Sequence, residues 1–402
     1  MKKSLFAIAA VTAFAGAAQA QSSVTVYGIL DVGYTGGNAR VSTPAGGLQK
    51  ETVNRISNSM ESGSRLGFRG NEDLGKGLSA QFVFELGINP AGDNMSNTWT
   101  PNIRQGFVGL TQKGTGNVRM GTQNTLYWEQ GNNMTGQLAQ TAGSMLAPSV
   151  VGANFTQNNN DNGSFSPAYT VRTANTIRLA TERMAGFTLK AAYTLSDSNR
   201  NQVNNTGTNQ GYTQGTNNQN GYQLGVDYAY KKALVQASYA GFTSENPYTY
   251  TAAQAAAGGI GATLGAPSAW GVTGGSNVRD NQMLVTASYD FGILRAYAGY
   301  TNRKVTSSVN SNAFLKRQAQ EIGVRSFITP KIEGWASVGN GRFTSFGVSN
   351  PTANITGYQL GSNYWMSKRT NMYAIFGANQ TSSTTVGASG LNQYSLGMRH
   401  TF

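Results

Sequence analysis

GLNQYSLGMRHTF, Gly390–Phe402, decides the fold. Tyr394, Leu396, Met398, His400 and Phe402 fall at every second position, with Ser395, Gly397, Arg399 and Thr401 between them. Side chains alternate across a strand, so the first set shares one face and the second set the other. The spacing predicts that the chain stops inside a sheet, one face apolar and the other polar.

The pattern recurs. In GYQLGVDYAY, Tyr222, Leu224, Val226, Tyr228 and Tyr230 share a face and Asp227 takes the other. NQMLVTASYDF sets Met283, Val285, Ala287, Tyr289 and Phe291 against Thr286, Ser288 and Asp290, and GLSAQFVFEL sets Leu78, Ala80, Phe82, Phe84 and Leu86 against Gln81 and Glu85. Each charge lands on the polar face, and aromatic residues gather toward the segment ends, as in a lipid-facing band with aromatic girdles. Sixteen strands are predicted, near 23–34, 62–70, 78–88, 101–111, 117–123, 172–182, 187–197, 220–230, 233–244, 278–290, 293–304, 317–328, 332–344, 354–366, 371–383 and 390–402. NEDLGKG, QKGTG, RMAG, KK, FG, TPK and SKRT read as tight turns, and most links between them are longer and rich in Asn, Gly, Thr and Ser. An even number of strands, with short turns at one end and long loops at the other, is the pattern of an all-β, antiparallel transmembrane β-barrel. A soluble β-sandwich alternates too, but strand length and turn segregation argue against it.

Composition narrows the compartment. MKKSLFAIAAVTAFAGAAQA has a basic start, an apolar stretch and an Ala-x-Ala-like end, so residues 1–20 read as an export signal and 21–402 as the barrel. Beyond the signal no run of about 18 apolar residues exists, so membrane residence must be through strands. Cysteine is absent, which removes thiol chemistry and disulfides; 9 prolines and 12% charged residues suit long paired strands. The formal charge is +13, or +11 without Lys2 and Lys3, but the basic residues are scattered singly, unlike a nucleic-acid interface.

QSSVTVYGILDVGY, SGSRLGFRGNEDLGKGLSAQFVFELG, FVGL and the terminal strand ending in Phe402 together resemble the general porins of Gram-negative bacteria, above all their neisserial and betaproteobacterial branch. The resemblance covers the whole mature chain. It implies a sixteen-stranded homotrimer in the outer membrane, in contact with membrane lipids and lipopolysaccharide, with a water-filled lumen in each subunit. It also implies that Phe402 is read as an assembly signal by the outer-membrane barrel assembly machinery. The third external loop of the family folds into the lumen; here the third long connection spans about 124 to 171. Where the family often has Gly-Arg-Gln before this loop, this chain has Gly121, Thr122 and Gln123.

Parity places candidate pore-lining residues. With Leu66 and Phe68 outward, Arg65 faces the lumen; with Val118 and Met120 outward, so does Arg119; with Ile177 and Leu179 outward, so do Arg172 and Arg178. Both faces of the strand around Arg104 hold apolar residues, and its family position favours the lumen. Inward arginines stay charged at any working pH and favour anions, although structural ion pairing is the competing reading for each. Glu129 is a candidate to face this ladder across the lumen and set up a transverse field.

Enzymatic chemistry is poorly served. The single histidine, His400, shares the outward face with Phe402 and cannot complete a lumenal Ser-His pair or a multi-histidine metal site. GGIGATLG at 258–265 follows no strand and opens no long helix, so it reads as a loop rather than a dinucleotide fingerprint. The expectation is a cofactor-free, metal-free passive channel for small anionic or neutral solutes with weak anion preference. The alternative is a substrate-selective channel of the same fold for carboxylates or phosphate.

Overall fold

The computed structural model of the chain describes residues 23–42, 47–58, 61–91, 102–135, 143–146, 171–195, 200–201, 216–245, 278–307, 311–312, 314–346, 352–382 and 388–402. Residues 1–20, read above as an export signal, and most of the long connections lie outside these residues. Alternation of the kind read above yields β1 (Ser23–Ser42), β2 (Leu48–Asn58), β3 (Arg65–Gly75), β4 (Leu78–Gly87), β5 (Asn102–Gln112) and β6 (Gly116–Asn124), then a helix, α1 (Leu126–Thr135). There follow β7 (Arg172–Thr181), β8 (Phe187–Thr194), β9 (Arg200–Asn201), β10 (Thr216–Tyr230), β11 (Ala233–Glu245), β12 (Val278–Asp290) and β13 (Arg295–Ser307). The last are β14 (Phe314–Phe327), β15 (Ile332–Phe346), β16 (Ala353–Trp365), β17 (Thr370–Ser382) and β18 (Ser389–Thr401).

All neighbours pair antiparallel, and β18 returns to β1, with Ile29 opposite Thr401 and Val41 opposite Ser389. The backbone of Phe402 completes the seam, exchanging two hydrogen bonds of 3.1 Å with Gly28. β2 and β3 pair with successive lengths of β1, and β8 and β9 both pair with β10. Each pair is therefore one interrupted stave, so the 18 segments form a closed barrel of sixteen staves. Closure leaves no unpaired strand edge, which is what lets a sheet sit in lipid.

The tight ends follow local chemistry. The Lys231-Lys232 link between β10 and β11 turns through Lys231 in the left-handed region (φ 52°). The β3–β4 link turns through Gly75, Lys76 and Gly77, all at positive φ.

Burial is inverted relative to a soluble protein. Val108, Leu110, Leu179, Leu189, Leu224 and Val338 point outward and are exposed. Asp31, Glu85, Gln223, Gln282, Asp280, Glu321 and Gln359 point inward and are buried. Continuous apolar surface outside and a satisfied polar interior suit a barrel whose solvent is hydrocarbon.

Two strand expectations change. β1 runs on to Ser42 and forms a tall hairpin with β2, which alternation did not mark. The strand expected from residue 62 begins at Arg65, because Glu61, Ser62 and Ser64 leave the sheet and are buried.

Candidate functional site

The inward wall of β3 to β7 gathers the candidate arginines around two carboxylates. Arg65 donates from Nε to Gly63 O (2.8 Å) and from Nη2 to Ser62 Oγ (3.0 Å), and its Nη1 lies 3.8 Å from Glu85 Oε1. Arg104 Nε donates to the same Glu85 oxygen at 2.8 Å, and Tyr27 OH donates to Oε2 at 3.0 Å. Arg172 lies within electrostatic range of Arg65, Arg104 and Glu85. Its three guanidinium nitrogens are buried.

A bulge explains why parity was ambiguous at Arg104. In the β4–β5 ladder Glu85 pairs with Gln105 and Leu86 with Ile103, which leaves Arg104 as the extra residue. An extra residue reverses the in-out phase of a strand. Ile103 points outward before the bulge and Val108 and Leu110 after it, while Arg104 and Phe107 are buried. A similar shift in β6–β7, where Gly121 pairs with Thr176 but Gln123 with Thr173, passes through Asn175 at φ 48°. Unbroken parity therefore does not extend from Arg178 to Arg172, and Thr173 takes a buried position beside it.

Arg119 and Arg178 stand directly opposite each other in the β6–β7 register. Arg178 binds Glu129 through two 2.6 Å hydrogen bonds, Nη1 to Oε1 and Nη2 to Oε2. Arg119 lies with its guanidinium carbon 5.2 Å from the centroid of the Phe107 ring, at cation–π distance. Among the described residues, Arg65 and Arg104 thus lie against Glu85 and Arg178 against Glu129, with Arg119 and Arg172 within electrostatic range of the same two carboxylates. Glu129 contacts one member of the ladder rather than opposing it from across the lumen.

Glu129 is held there by α1, which alternation left as loop. Thr125 caps the helix, accepting Trp128 N–H on Oγ1 at 3.1 Å and Glu129 N–H on its carbonyl at 3.1 Å. The helix is seated on inward-pointing residues of the neighbouring staves. Leu126 N–H donates to Gln223 Oε1 (2.9 Å), Tyr127 OH meets Thr301 Oγ1 (2.7 Å), and Gln130 Nε2 donates to Asp227 Oδ1 (3.1 Å). Asp227 Oδ2 also receives Lys190 Nζ at 2.5 Å. Further along the same connection, Glu321 Oε2 accepts Ser144 Oγ (2.9 Å), Met145 N–H (2.7 Å) and Leu146 N–H (3.0 Å), while Arg317 Nη2 donates to Met145 O.

A second segment also touches the inward face and was missed. Residues 61–64, between β2 and β3, fold against β1 and β16 to β18. Asp31 accepts Glu61 N–H (2.8 Å), Ser62 N–H (2.6 Å) and Tyr373 OH (2.6 Å). Glu61 accepts Asn363 Nδ2 and Asn371 Nδ2 at 2.9 Å each and lies 3.5 Å from Arg399. This segment supplies the Gly63 and Ser62 oxygens that aim Arg65. The available signal was the loss of alternation in Asn58–Ser64.

Phe402 is partly exposed on the outside, at the seam. His400 is also outside, its Nδ1 2.8 Å from Thr370 Oγ1. Among the described residues no three His, Cys, Asp or Glu side chains are placed to hold a metal ion.

Comparison with known proteins places this geometry. A family model described as Gram-negative porin matches residues 7–384. An outer membrane porin protein of Bordetella pertussis is 34% identical over 215 residues, 52% of this chain and 52% of that one. The major outer membrane protein P.IB of Neisseria gonorrhoeae is 36% identical over 134 residues, 33% of this chain and 35% of that protein. The chain therefore spans about half the length, or less, of these curated relatives. Among solved structures, an anion-selective porin from Comamonas acidovorans superposes with a TM-score of 0.62 at 18% identity, covering 95% of this chain and all of that one. The trimer form of OmpT, an in-vitro folded outer membrane protein of Vibrio cholerae, gives 0.58 at 14% identity over 95% of this chain and 99% of that one. At these identities the structures speak for the fold.

Proposed function

Since the chain belongs to the Gram-negative porin family and resides in the outer membrane, we propose that it is a passive channel for small hydrophilic solutes and ions with a weak preference for anions. One observation carries the anion preference: among the described residues, Arg65, Arg104, Arg119, Arg172 and Arg178 stand on one inward wall with Glu85 and Glu129, so the described part of that wall carries more fixed positive than negative charge. Charges at a narrow, low-dielectric-walled passage act on a passing ion far more than charges at a wide mouth. The contacts of α1 and residues 143–146 with inward-pointing side chains support a third connection that enters the lumen and narrows it beside this wall. Membership of the porin family supports a channel rather than an enzyme.

The trimeric relative and the porin family support a homotrimer surrounded by outer-membrane lipid and lipopolysaccharide. The seam position of Phe402 supports its reading by the barrel assembly machinery. The test is electrical. Purified protein added to a planar bilayer should produce stepwise ohmic conductance, with a reversal potential in a KCl gradient on the anion-selective side. Absence of steps rejects the channel, and a cation-side reversal potential rejects the arginine assignment.

A further inference from the structure

The outward faces of β13, β14 and β15 carry a charge pattern that the lumen does not explain. Inward on these strands, cations have partners. Arg303 Nη2 lies 2.6 Å from Asp280 Oδ2, Arg317 donates to Met145 O, and Arg325 pairs with Glu333. At outward positions stand Lys304, Lys316 and Arg342. Lys304 is directly opposite Lys316 in the β13–β14 register. Arg342, opposite Gln318, lies on the diagonal from Lys316, which is opposite Thr344. Like charges directly opposed across strands destabilise a sheet, and a diagonal neighbour lies only about 7–8 Å away.

Among the described residues no carboxylate offsets this repulsion. The Asp and Glu residues of β12 to β16 are Asp280, Asp290, Glu321 and Glu333; Asp290 ends β12 at the turn, and the others point inward. The links 308–313 and 347–352 contain no acidic residue. Among the described residues no ion pair involves the three cations; Lys304 Nζ lies 4.3 Å from the Phe314 ring centroid.

Position supplies the second observation. The three cations lie in the loop-end halves of their strands. Toward the turn end come Tyr300, bonded through its OH to Gln318 Nε2 (2.8 Å), and Gln320, bonded to Asn340 Oδ1 (3.0 Å). They give way to the exposed apolar residues Ile322, Val338 and Leu360. Tyr300, Gln320, Ile322, Val338, Asn340 and Tyr358 belong to an open outer depression that extends from β12 to β1, and the three cations stand outside its lining. Down the strand axis the surface thus reads cation, amide and phenol, then hydrocarbon. An amphiphile with an anionic, hydrogen-bonding head has the same order.

We propose that Lys304, Lys316 and Arg342 bind a phosphate monoester on the head group of an acylated sugar lipid, with its amide and hydroxyl groups at the Gln320–Asn340 band and its acyl chains along Ile322 and Val338. The proposal rests on the reading of the barrel as an outer-membrane protein and adds a lipid site to it. A phosphate oxyanion relieves the Lys304–Lys316 repulsion, and Arg342 supplies the planar donor pair that phosphate accepts.

The test titrates the detergent-solubilised full chain, and the K304Q/K316Q/R342Q variant, with bisphosphorylated hexa-acyl lipid A, the same lipid without phosphates, and inorganic phosphate. Binding is counted by native mass spectrometry. The wild type is expected to prefer the phosphorylated over the dephosphorylated lipid about tenfold, the sum of three modest surface ion pairs, and the variant to lose that preference. Equal preference in both proteins overturns the site, as does failure of the wild type to discriminate. Displacement of the lipid by equimolar inorganic phosphate overturns the lipid assignment. Heat-modifiable migration confirms that the variant is folded. Its single-channel conductance should match the wild type because the three side chains face away from the lumen, and an altered conductance overturns their placement. Absence of conductance in the wild type instead rejects the channel reading and leaves the lipid titration unaffected.

Discussion

Two walls of one barrel use the same ion-pairing chemistry in different proportions. On the wall of β12 to β17, cations and anions are matched and serve as anchors. Arg303 is bound to Asp280 and Arg325 to Glu333, and Glu321 takes three donors from residues 144–146. On the wall of β3 to β7 the proportions among the described residues are unequal, with five arginines near Glu85 and Glu129. Matched buried pairs hold chain in place and present little net field. Unmatched charges leave a field that an ion in the lumen can feel. On the proposed reading, proportion more than residue type separates an anchor from a selectivity element.

The comparison breaks most sharply if the matched wall proves dispensable. Asp280→Ala leaves Arg303 buried with its closest carboxylate gone, and breaking a buried pair in this way costs about 3–5 kcal/mol. A urea titration in detergent should show that loss; an unchanged midpoint would mean the pair is not an anchor. Next in size is the lipid face. Leu224→Arg places a charge on an exposed outward position and should cost about 2–4 kcal/mol by the same titration. The adjacent Gly225 does not provide a free lumenal control, because a Cβ there would sit 2.9 Å from Leu126 Cδ1. Gly225→Arg should therefore displace α1 and alter conductance noise, which unaltered single-channel traces would contradict.

Smaller effects test the unmatched wall. Arg119→Gln removes a partly buried cation that stacks on Phe107, so stability should fall by only about 1 kcal/mol while the reversal potential moves toward cations. The smallest change is expected from the paired substitution Glu129→Gln with Arg178→Gln, which removes one charge of each sign. Its reversal potential should stay near the parental value; a shift as large as that of Arg119→Gln would show that position, and not the proportion of charges, governs selectivity.

The fold was legible because period-two alternation survives wherever one face meets lipid, as in β10, β12 and β18. It was illegible where neither face does. β2 points Lys50, Thr52 and Asn54 outward near the loop end, so Leu48–Asn58 shows no apolar stripe although it is fully paired with β1. At the site, Arg65, Arg119 and Arg178 followed from parity because phase holds between each of them and its outward neighbours, the β6–β7 shift falling beyond Gly121 and Thr176. Arg104 did not, since a bulge reverses phase within its own strand and leaves no mark in the spacing. The insertion at 61–64 and the seating of α1 depend on partners from distant staves: Asn363 and Asn371 for one, Gln223 and Thr301 for the other. No local pattern encodes such contacts.

The most direct measurement is the reversal potential, in a KCl gradient at low salt, of a channel in which the Glu85 cluster is neutralised as a unit: R65Q, E85Q, R104Q and R172Q together. The change takes three cations and one anion from the wall, removing Glu85 together with the arginines nearest it among the described residues, and low salt keeps the Debye length long enough for wall charges to act. Loss of most of the anion preference, with heat-modifiable migration of the folded barrel retained, is the predicted result. An anion-to-cation permeability ratio equal to the parent's would contradict the assignment of selectivity to this wall.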